Sequence, residues 1–447
     1  MQLSKEQAGA SASDLSLWMA IVGKNKASQM RSFIFINTEF LPIGLLSDIA
    51  AYYGISSGQA GLMVTVPGVA AAIAAPVLTR YCGAHNRRYI LLAMTVLLVV
   101  SNLTMAFSTN FFLSLFCRLL LGIGVGGFWS FAVPFGVNIV KDHHKSRATT
   151  IITAGVAAGT VAGVPIGTFL GVHFGWQNAF LVNGLLSAAV LVLQFMFLPS
   201  LKGESSLTFA DMGRVVLEKS VTKRLLSTMF FAAAHFCSFT YFELILAREA
   251  NLSQSLLPGM FLLYGCMGFL GTFISEYLVR KLTARNTFRL STILLFTAIL
   301  LMPLSAAGYP AVIALTMLWG LAYGLMPVSI NIWLYEANEK DYVTSTASNV
   351  CVYQIAVAAG SFAGGIAFNH FGVFATLLTS VVIGILCLYE NPALTLSPVV
   401  LRGAVKTRAV QLPTSTFFPG LQSVSISGNF STRRHECLNP HYYIDFK

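Results

Sequence analysis

Apolar residues run along most of this chain in long unbroken blocks, separated by short polar clusters. AGLMVTVPGVAAAIAAPVLT (60–79), YILLAMTVLLVVSNLTMAF (89–107) and FLVNGLLSAAVLVLQFMFLP (180–199) are three of them. Each has about the 20 residues that a helix needs to cross a hydrocarbon core of roughly 30 Å. The same pattern predicts twelve spanning helices, at about 33–49, 60–79, 89–107, 111–139, 148–171, 179–199, 225–247, 257–279, 287–307, 311–335, 345–368 and 373–389. The blocks do not alternate and exceed the length of barrel strands, so a transmembrane β-barrel is excluded. The expected fold class is an all-α polytopic membrane protein.

Basic residues then assign the sides of the membrane. Lys5, Lys24, Lys26 and Arg31 precede the first block. Alternate connections carry Arg80, Arg87 and Arg88; Lys141, Lys145 and Arg147; Lys202, Arg214, Lys219, Lys223 and Arg224; Arg280, Lys281, Arg285 and Arg289; then Lys340. The intervening connections are bare except for Arg248. This alternation places both termini in the cytoplasm.

Composition agrees with the pattern. Of 447 residues, 55% are hydrophobic and 10% charged, against about 25% charged in a soluble domain. Mean hydropathy is +0.72. The net charge of +11 follows from membrane topology, since the basic residues sit in short connections, and nucleic acid is not an expected partner. The seven cysteines (82, 117, 237, 266, 351, 387, 437) show no CxxC or metal-ligand spacing and read as packing residues. No Walker loop, HExxH or GxSxG occurs. An ATP-driven pump and a membrane enzyme therefore lack support, and no cofactor is expected.

The chain divides at the polar, amphipathic segment LKGESSLTFADMGRVVLEKSVTKR, which reads as a linker lying on the membrane surface. The expected organisation is a cytoplasmic segment 1–32, a six-helix half 33–199, the linker 200–224, a second six-helix half 225–389 and a tail 390–447. The halves repeat. AAGTVAG (157–163) matches AAGSFAG (358–364), Gly122 and Gly126 precede Gly320 and Gly324 by 198 residues, and HFG recurs at 173–175 and 370–372. Two six-helix repeats suit a secondary transporter with its site near the midplane between them.

Five places carry candidate chemistry. In FIFINTEFLPIGLL (33–46), Glu39 is a carboxylate inside an apolar run, two residues after Asn37. It lies nine residues before Asp48, roughly 13 Å deep in a straight helix. In span four, CRLLLGIGVGGFWSF (117–131), Arg118 is a costly intramembrane charge that must face a partner or a wet cavity. It reads either as a cavity cation or as a tie between helices. Phe128 and Trp129 lie three turns on, with Trp129 on the Arg118 face. In span five, Gly159, Gly163, Pro165 and Gly167 read as close-packing positions, with a kink at Pro165. In span seven, FAAAHFCSFTYFELIL (231–246), His235 and Glu243 are two turns apart on one side, with Tyr241 between them. His235 is either a packing residue or a proton carrier, and Glu243 either a cavity acid or a solvated helix end. Arg87 and Arg88 follow span two at the cytoplasmic face.

These motifs resemble the major facilitator superfamily, in its drug:proton antiporter group. NTEFLPIGLLSDIA (37–50) resembles the first-helix signature of that group. CRLLLGIGVGGFW resembles its fourth-helix motif, and GVPIG (163–167) with the following GW (175–176) resembles its fifth-helix antiporter motif. AHFCSFTYFE (234–243) is similar to span seven of bacterial sugar (arabinose) efflux transporters, and GGFW occurs also in purine ribonucleoside exporters. The resemblance covers about residues 33–389. It implies a monomeric secondary transporter in the bacterial inner membrane that exports small solutes (sugars, nucleosides or drugs), coupled to protons, by alternating access of its two halves. Glu39 would be the proton-coupling residue. Asn37, Arg118, Phe128, Trp129, His235, Tyr241 and Glu243 would form the substrate cavity, and Arg87 and Arg88 the cytoplasmic gating loop. The chain departs from the family in that loop, where Asn86 precedes the two arginines and the usual Asp is missing. It departs again at GKNKASQMRS (23–32) and in 390–447, which lack the expected apolar pattern and read as reading-frame errors or degeneration. An uncoupled facilitator or importer, and a non-transporting membrane protein, are the alternative functions.

Overall fold

The computed structural model describes residues 30–138, 158–198, 200, 208–250 and 252–390. Among them all regular structure is helical, with no strand. In the first half, α1 (30–40) runs into a 3-10 turn, Leu41–Gly44, and then α2 (Leu46–Tyr53). There follow α3 (Ser57–Cys82), α4 (Arg87–Ala106) and α5 (Phe111–Asn138). A π-helical turn, Gly159–Gly163, leads into α6 (Val164–Phe174), and α7 is Trp176–Phe197. The second half begins with α8 (Phe209–Leu217), whose first turn carries a Thr208–Asp211 capping box. It continues with α9 (Lys219–Phe239), α10 (Phe242–Glu249), α11 (Leu257–Lys281), α12 (Ala284–Leu301), α13 (Tyr309–Ala337) and α14 (Tyr342–Glu390).

Eight of these helices are long and apolar enough to cross a membrane, ten if each of two bent pairs is one crossing. The differences from twelve straight spans have local causes. The first span bends by 65° between α1 and α2, where Pro42 stands in the 3-10 turn and has no N–H to continue the helix. The estimate of a straight 13 Å descent from Asp48 to Glu39 therefore fails. The seventh span bends by 48° between α9 and α10. The span expected at 148–171 is described only from 158 onward. It is irregular in the turn before Pro165, which the missing proline N–H and ring clash explain. The blocks 345–368 and 373–389 lie within α14, which departs from helical geometry at Gly372 (φ 80°), a conformation that favours glycine. The frame-error reading of 23–29 and 391–447, and Lys141, Lys145, Arg147 and Lys202, lie outside the described residues. At 30–32 the chain is already helical, with Arg31 and Ser32 buried.

The repeated glycines explain how the helices approach one another. A Cβ on Gly159 would come within 3.0 Å of Ile36, and one on Gly163 within 3.0 Å of Asn37, both in α1. At the matching positions of the second half, a Cβ on Gly360 or Gly364 would collide with Ala233 or Cys237 of α9. Gly122 and Gly126 of α5 face Pro67 and Ala71 of α3, as Gly320 and Gly324 of α13 face Tyr264 and Gly268 of α11. The sequence repeat is thus a packing repeat, in which small residues let backbones touch where lipid gives no hydrophobic drive. Large apolar side chains such as Phe112, Phe195, Phe371 and Phe374 stay exposed on the outside, as a lipid-facing surface requires.

Candidate functional site

The halves meet along α1–α2 and α3 against α9–α10 and α14, and along α6 with its π-helical turn against α11. Near the bends, hydrogen bonds close one end. Ser47 donates to Glu243 from its backbone N–H (3.2 Å) and from its hydroxyl. Ser47 lies in the first turn of α2, so the Glu243 carboxylate meets otherwise orphaned helix donors. Gly58 N–H donates to Asn369 Oδ1 (2.9 Å), Asn369 Nδ2 donates to Ser56 Oγ (2.9 Å), and the Ser361 hydroxyl donates to Gly61 O (3.2 Å). Tyr241 donates to Ser361 O (3.1 Å) and stacks on Phe368. Glu243 and Tyr241 therefore belong to this closed end. The helix bends by 48° between His235 and Glu243, and the two side chains meet different partners.

Deeper in the interface, Glu39 is 5% exposed and accepts a hydrogen bond from Gln354 Nε2 of α14 (3.0 Å). Glu39 forms no ion pair with Arg118 among the described residues. Successive residues on a helix point about 100° apart. Glu39 faces the second half, while the neighbouring Thr38 faces into the first. Arg118 Nη1 donates to Thr38 O (2.9 Å), and its guanidinium lies 4.7 Å from the Phe180 ring centroid. Its Nε and Nη2 have no hydrogen-bond partner among the described residues. The tie is to a carbonyl and an aromatic face, so Arg118 is embedded within the first half.

Asn37 joins the same half. Its Nδ2 donates to Asn183 Oδ1 (3.0 Å), while Asn183 and Asn102 each donate to Thr38 Oγ1 (3.2 and 3.1 Å). Phe128 stacks on Phe35 at 4.6 Å, and Trp129 packs edge-on against Phe128. Arg31 lies over the Phe128 ring. These residues pack on one another within the first half. At the far end of α4, Asn86 caps the helix, and Arg88 Nη2 donates to Phe195 O (2.7 Å) at the end of α7, where a cation meets helix-terminal carbonyls. Arg87 beside it is buried.

A cavity of about 30 Å³ lies between the halves. Phe40, Thr160 and Val164 line it from the first half, and His235, Tyr264 and Tyr323 are among its lining residues from the second. It has room for a water but not for a solute. His235 is fully buried, and its ring stacks between Tyr323 (4.2 Å) and Phe239 (4.7 Å). Trp319 Nε1–H donates to His235 Nδ1 (3.1 Å). Because Nδ1 accepts, the ring proton sits on Nε2, which faces the Tyr264 hydroxyl at 3.4 Å. That arrangement fixes a neutral imidazole. Tyr323 carries the cavity toward Glu39, since its hydroxyl pairs with that of Tyr353 (2.6 Å), the residue beside Gln354.

Glu39, Tyr241, Glu243 and His235 stand out in the sequence, whereas residues they meet, Gln354, Ser47, Trp319, Tyr264 and Tyr323, do not. Gln354 did carry a signal, as a long amide four residues before AAGSFAG in an apolar block. Among the described residues no group of His, Cys, Asp and Glu could hold a metal ion.

A family model described as Major Facilitator Superfamily matches residues 32–361. The purine ribonucleoside efflux pump NepI of Salmonella typhimurium is 29% identical over 345 residues, 77% of this chain and 87% of that one, and the pump of Salmonella typhi matches equally. Solved structures share the fold. A D-xylose-proton symporter superposes with a TM-score of 0.65 at 15% identity, covering 83% of this chain and 97% of that one. A bacterial homologue of the human lysosomal transporter Spinster, in an inward-facing conformation, gives 0.65 at 14% identity, covering 83% and 95%.

Proposed function

The chain belongs to the Major Facilitator Superfamily, and from that premise we propose that it is a proton-coupled exporter of nucleoside-like solutes, working by alternating access of its two halves. Its transporter character follows from the family, and the relatives named as purine ribonucleoside efflux pumps support export and the solute class. Twelve crossings, cytoplasmic termini, a monomeric state and residence in the bacterial inner membrane belong to the same proposal, resting on the loop charges and the repeat.

One observation carries the coupling. Glu39 is a buried carboxylate on the face of α1 that meets the other half, and its partner is the neutral amide of Gln354 rather than a cation. An ionised carboxylate inside a protein costs several kcal/mol unless paired. Taking up a proton removes that cost, and the resulting change bears on the interface whose opening and closing would move a solute. A proton entering from outside would neutralise Glu39 and permit the return step, and solute would displace it on the inner side. Arg118, tied to Thr38, would hold α1 in register.

The test is inosine efflux from proteoliposomes driven by an imposed pH gradient. Glu39→Gln should abolish gradient-driven efflux while leaving expression intact. Undiminished driven efflux in that variant would remove Glu39 from the mechanism. Equal wild-type flux with and without the gradient would favour an uncoupled facilitator.

A further inference from the structure

Gln354 is 1% exposed, and only one side of its amide is used. A carboxylate accepts hydrogen bonds and donates none, so the Gln354 NH₂ must face Glu39 whenever that acid is charged, which turns Oε1 away. Oε1 is buried and has no hydrogen-bond partner among the described residues. The second oxygen of Glu39 makes no hydrogen bond among the described residues either, and it keeps some accessible surface, since it is not one of the buried unpartnered atoms. One buried acceptor and one partly accessible acceptor therefore stand side by side, one from each half. A buried carbonyl oxygen such as Gln354 Oε1 is seldom left without a donor, because the cost is the desolvation of the group. The neighbouring hydroxyls do not fill the gap, since Tyr323 and Tyr353 bond to each other.

We propose that Gln354 and Glu39 together form the subsite for a vicinal diol of the solute. One hydroxyl donates to Gln354 Oε1 and its neighbour to the free oxygen of Glu39. The proposal rests on the exporter reading above and deepens it, because in a ribonucleoside the diol is the 2′,3′-pair of the ribose. The base would then extend along Tyr353 and Tyr323 toward the aromatic cavity at His235, once the halves part enough to enlarge it. Gln354 is thereby a specificity-determining residue: it separates ribosides from deoxy analogues. Two acceptors also explain why a neutral amide, and not a cation, stands beside the acid. A lysine or arginine would occupy the carboxylate and supply no acceptor to the second hydroxyl.

The test is equilibrium binding of inosine, 2′-deoxyinosine and 2′,3′-dideoxyinosine to the purified full chain in lipid nanodiscs. Each hydrogen bond to a buried acceptor corresponds to a factor of about 5–10 in affinity. Wild-type protein should bind the deoxy analogue about tenfold more weakly than inosine, and the dideoxy analogue weaker still. Gln354→Leu should weaken inosine by about tenfold and leave dideoxyinosine unchanged, which also reports that the variant is folded. Gln354→Glu, which keeps an acceptor at the position, should retain part of the discrimination. The wild-type series needs no variant, so a misfolded one does not shield the proposal. Equal binding of all three nucleosides to wild type, or undiminished discrimination in Gln354→Leu, overturns the diol subsite and leaves the exporter reading intact. No binding of any nucleoside, with proton-driven efflux of another solute persisting, overturns the subsite and the nucleoside class together.

Discussion

Replacing Glu243 with alanine should loosen one end of the molecule without unfolding it. The side chain accepts two hydrogen bonds from Ser47, one from a backbone N–H at the start of α2 and one from the hydroxyl. Its removal leaves α2 and α10 without their polar link. Solvent reaches this partly buried pair, so the loss corresponds to about 1–3 kcal/mol, or roughly a 5- to 150-fold rise in opening. The bonds of Asn369 to Gly58 and Ser56 and of Ser361 to Gly61 remain, so the change should be confined to that end. Hydrogen–deuterium exchange read by mass spectrometry measures such local opening directly. Peptides covering 45–61 should exchange at least fivefold faster in Glu243→Ala than in wild type. Peptides within α5 and α7 should be unaffected. Glu243→Gln keeps one carbonyl acceptor and should fall between the two. Unchanged exchange across 45–61 in Glu243→Ala would show that this link does not hold the halves together, and the account of the closed end would fall with it.

Two further outcomes follow from packing and from the histidine cluster. A Cβ at Gly126 would sit 2.6 Å from Ala71 O and 2.9 Å from Ala75 N, whereas one at Gly213 in α8 meets nothing within 4 Å. Gly126→Val should destabilise the protein by about 1–3 kcal/mol or more through overpacking. Gly213→Ala should be neutral or stabilising by about 0.5–1 kcal/mol; thermal unfolding in detergent compares them, and equal midpoints would contradict the close contact of α3 and α5. Trp319→Phe removes the N–H that His235 Nδ1 accepts, leaving a buried acceptor unpaired at a cost of about 1–3 kcal/mol. A lowered unfolding midpoint at unchanged expression is expected, and an unaltered midpoint would mean that the indole bond does not fix the imidazole.

The described helices largely coincide with the apolar blocks, and sequence was weakest where a span departs from a straight helix. α1 and α9 break at corresponding places in the repeat, yet Pro42 marks only the first break. The second, at Thr240–Tyr241, has no proline or glycine, and nothing local announces it. The polar residues show the same division. Glu39, His235 and Glu243 stand out because a polar group inside an apolar run is conspicuous. Their roles were harder to read, since helical periodicity gives a face but not the neighbour on it. Arg118 illustrates the consequence: one acid and one base in the same half invited a pair, and the helix instead turns them toward different partners.

The sequence by itself determined the helical class, the apolar blocks suited to a membrane, the repeated glycine motifs and the positions where backbones touch. These follow from residue size and hydropathy counted along a single helix, and they hold whatever the helices pack against. Tertiary structure alone decided which groups meet. Gln354 reaches Glu39 across 315 positions of chain, and Ser47 reaches Glu243 across 196. Such pairs depend on how one half docks against the other, a relation set by the sum of many glycine contacts and two bends rather than by any local pattern. The carboxylate at 39 is legible in the chain; the amide beside it, and the unfilled acceptors that the two leave between the halves, exist only in the fold.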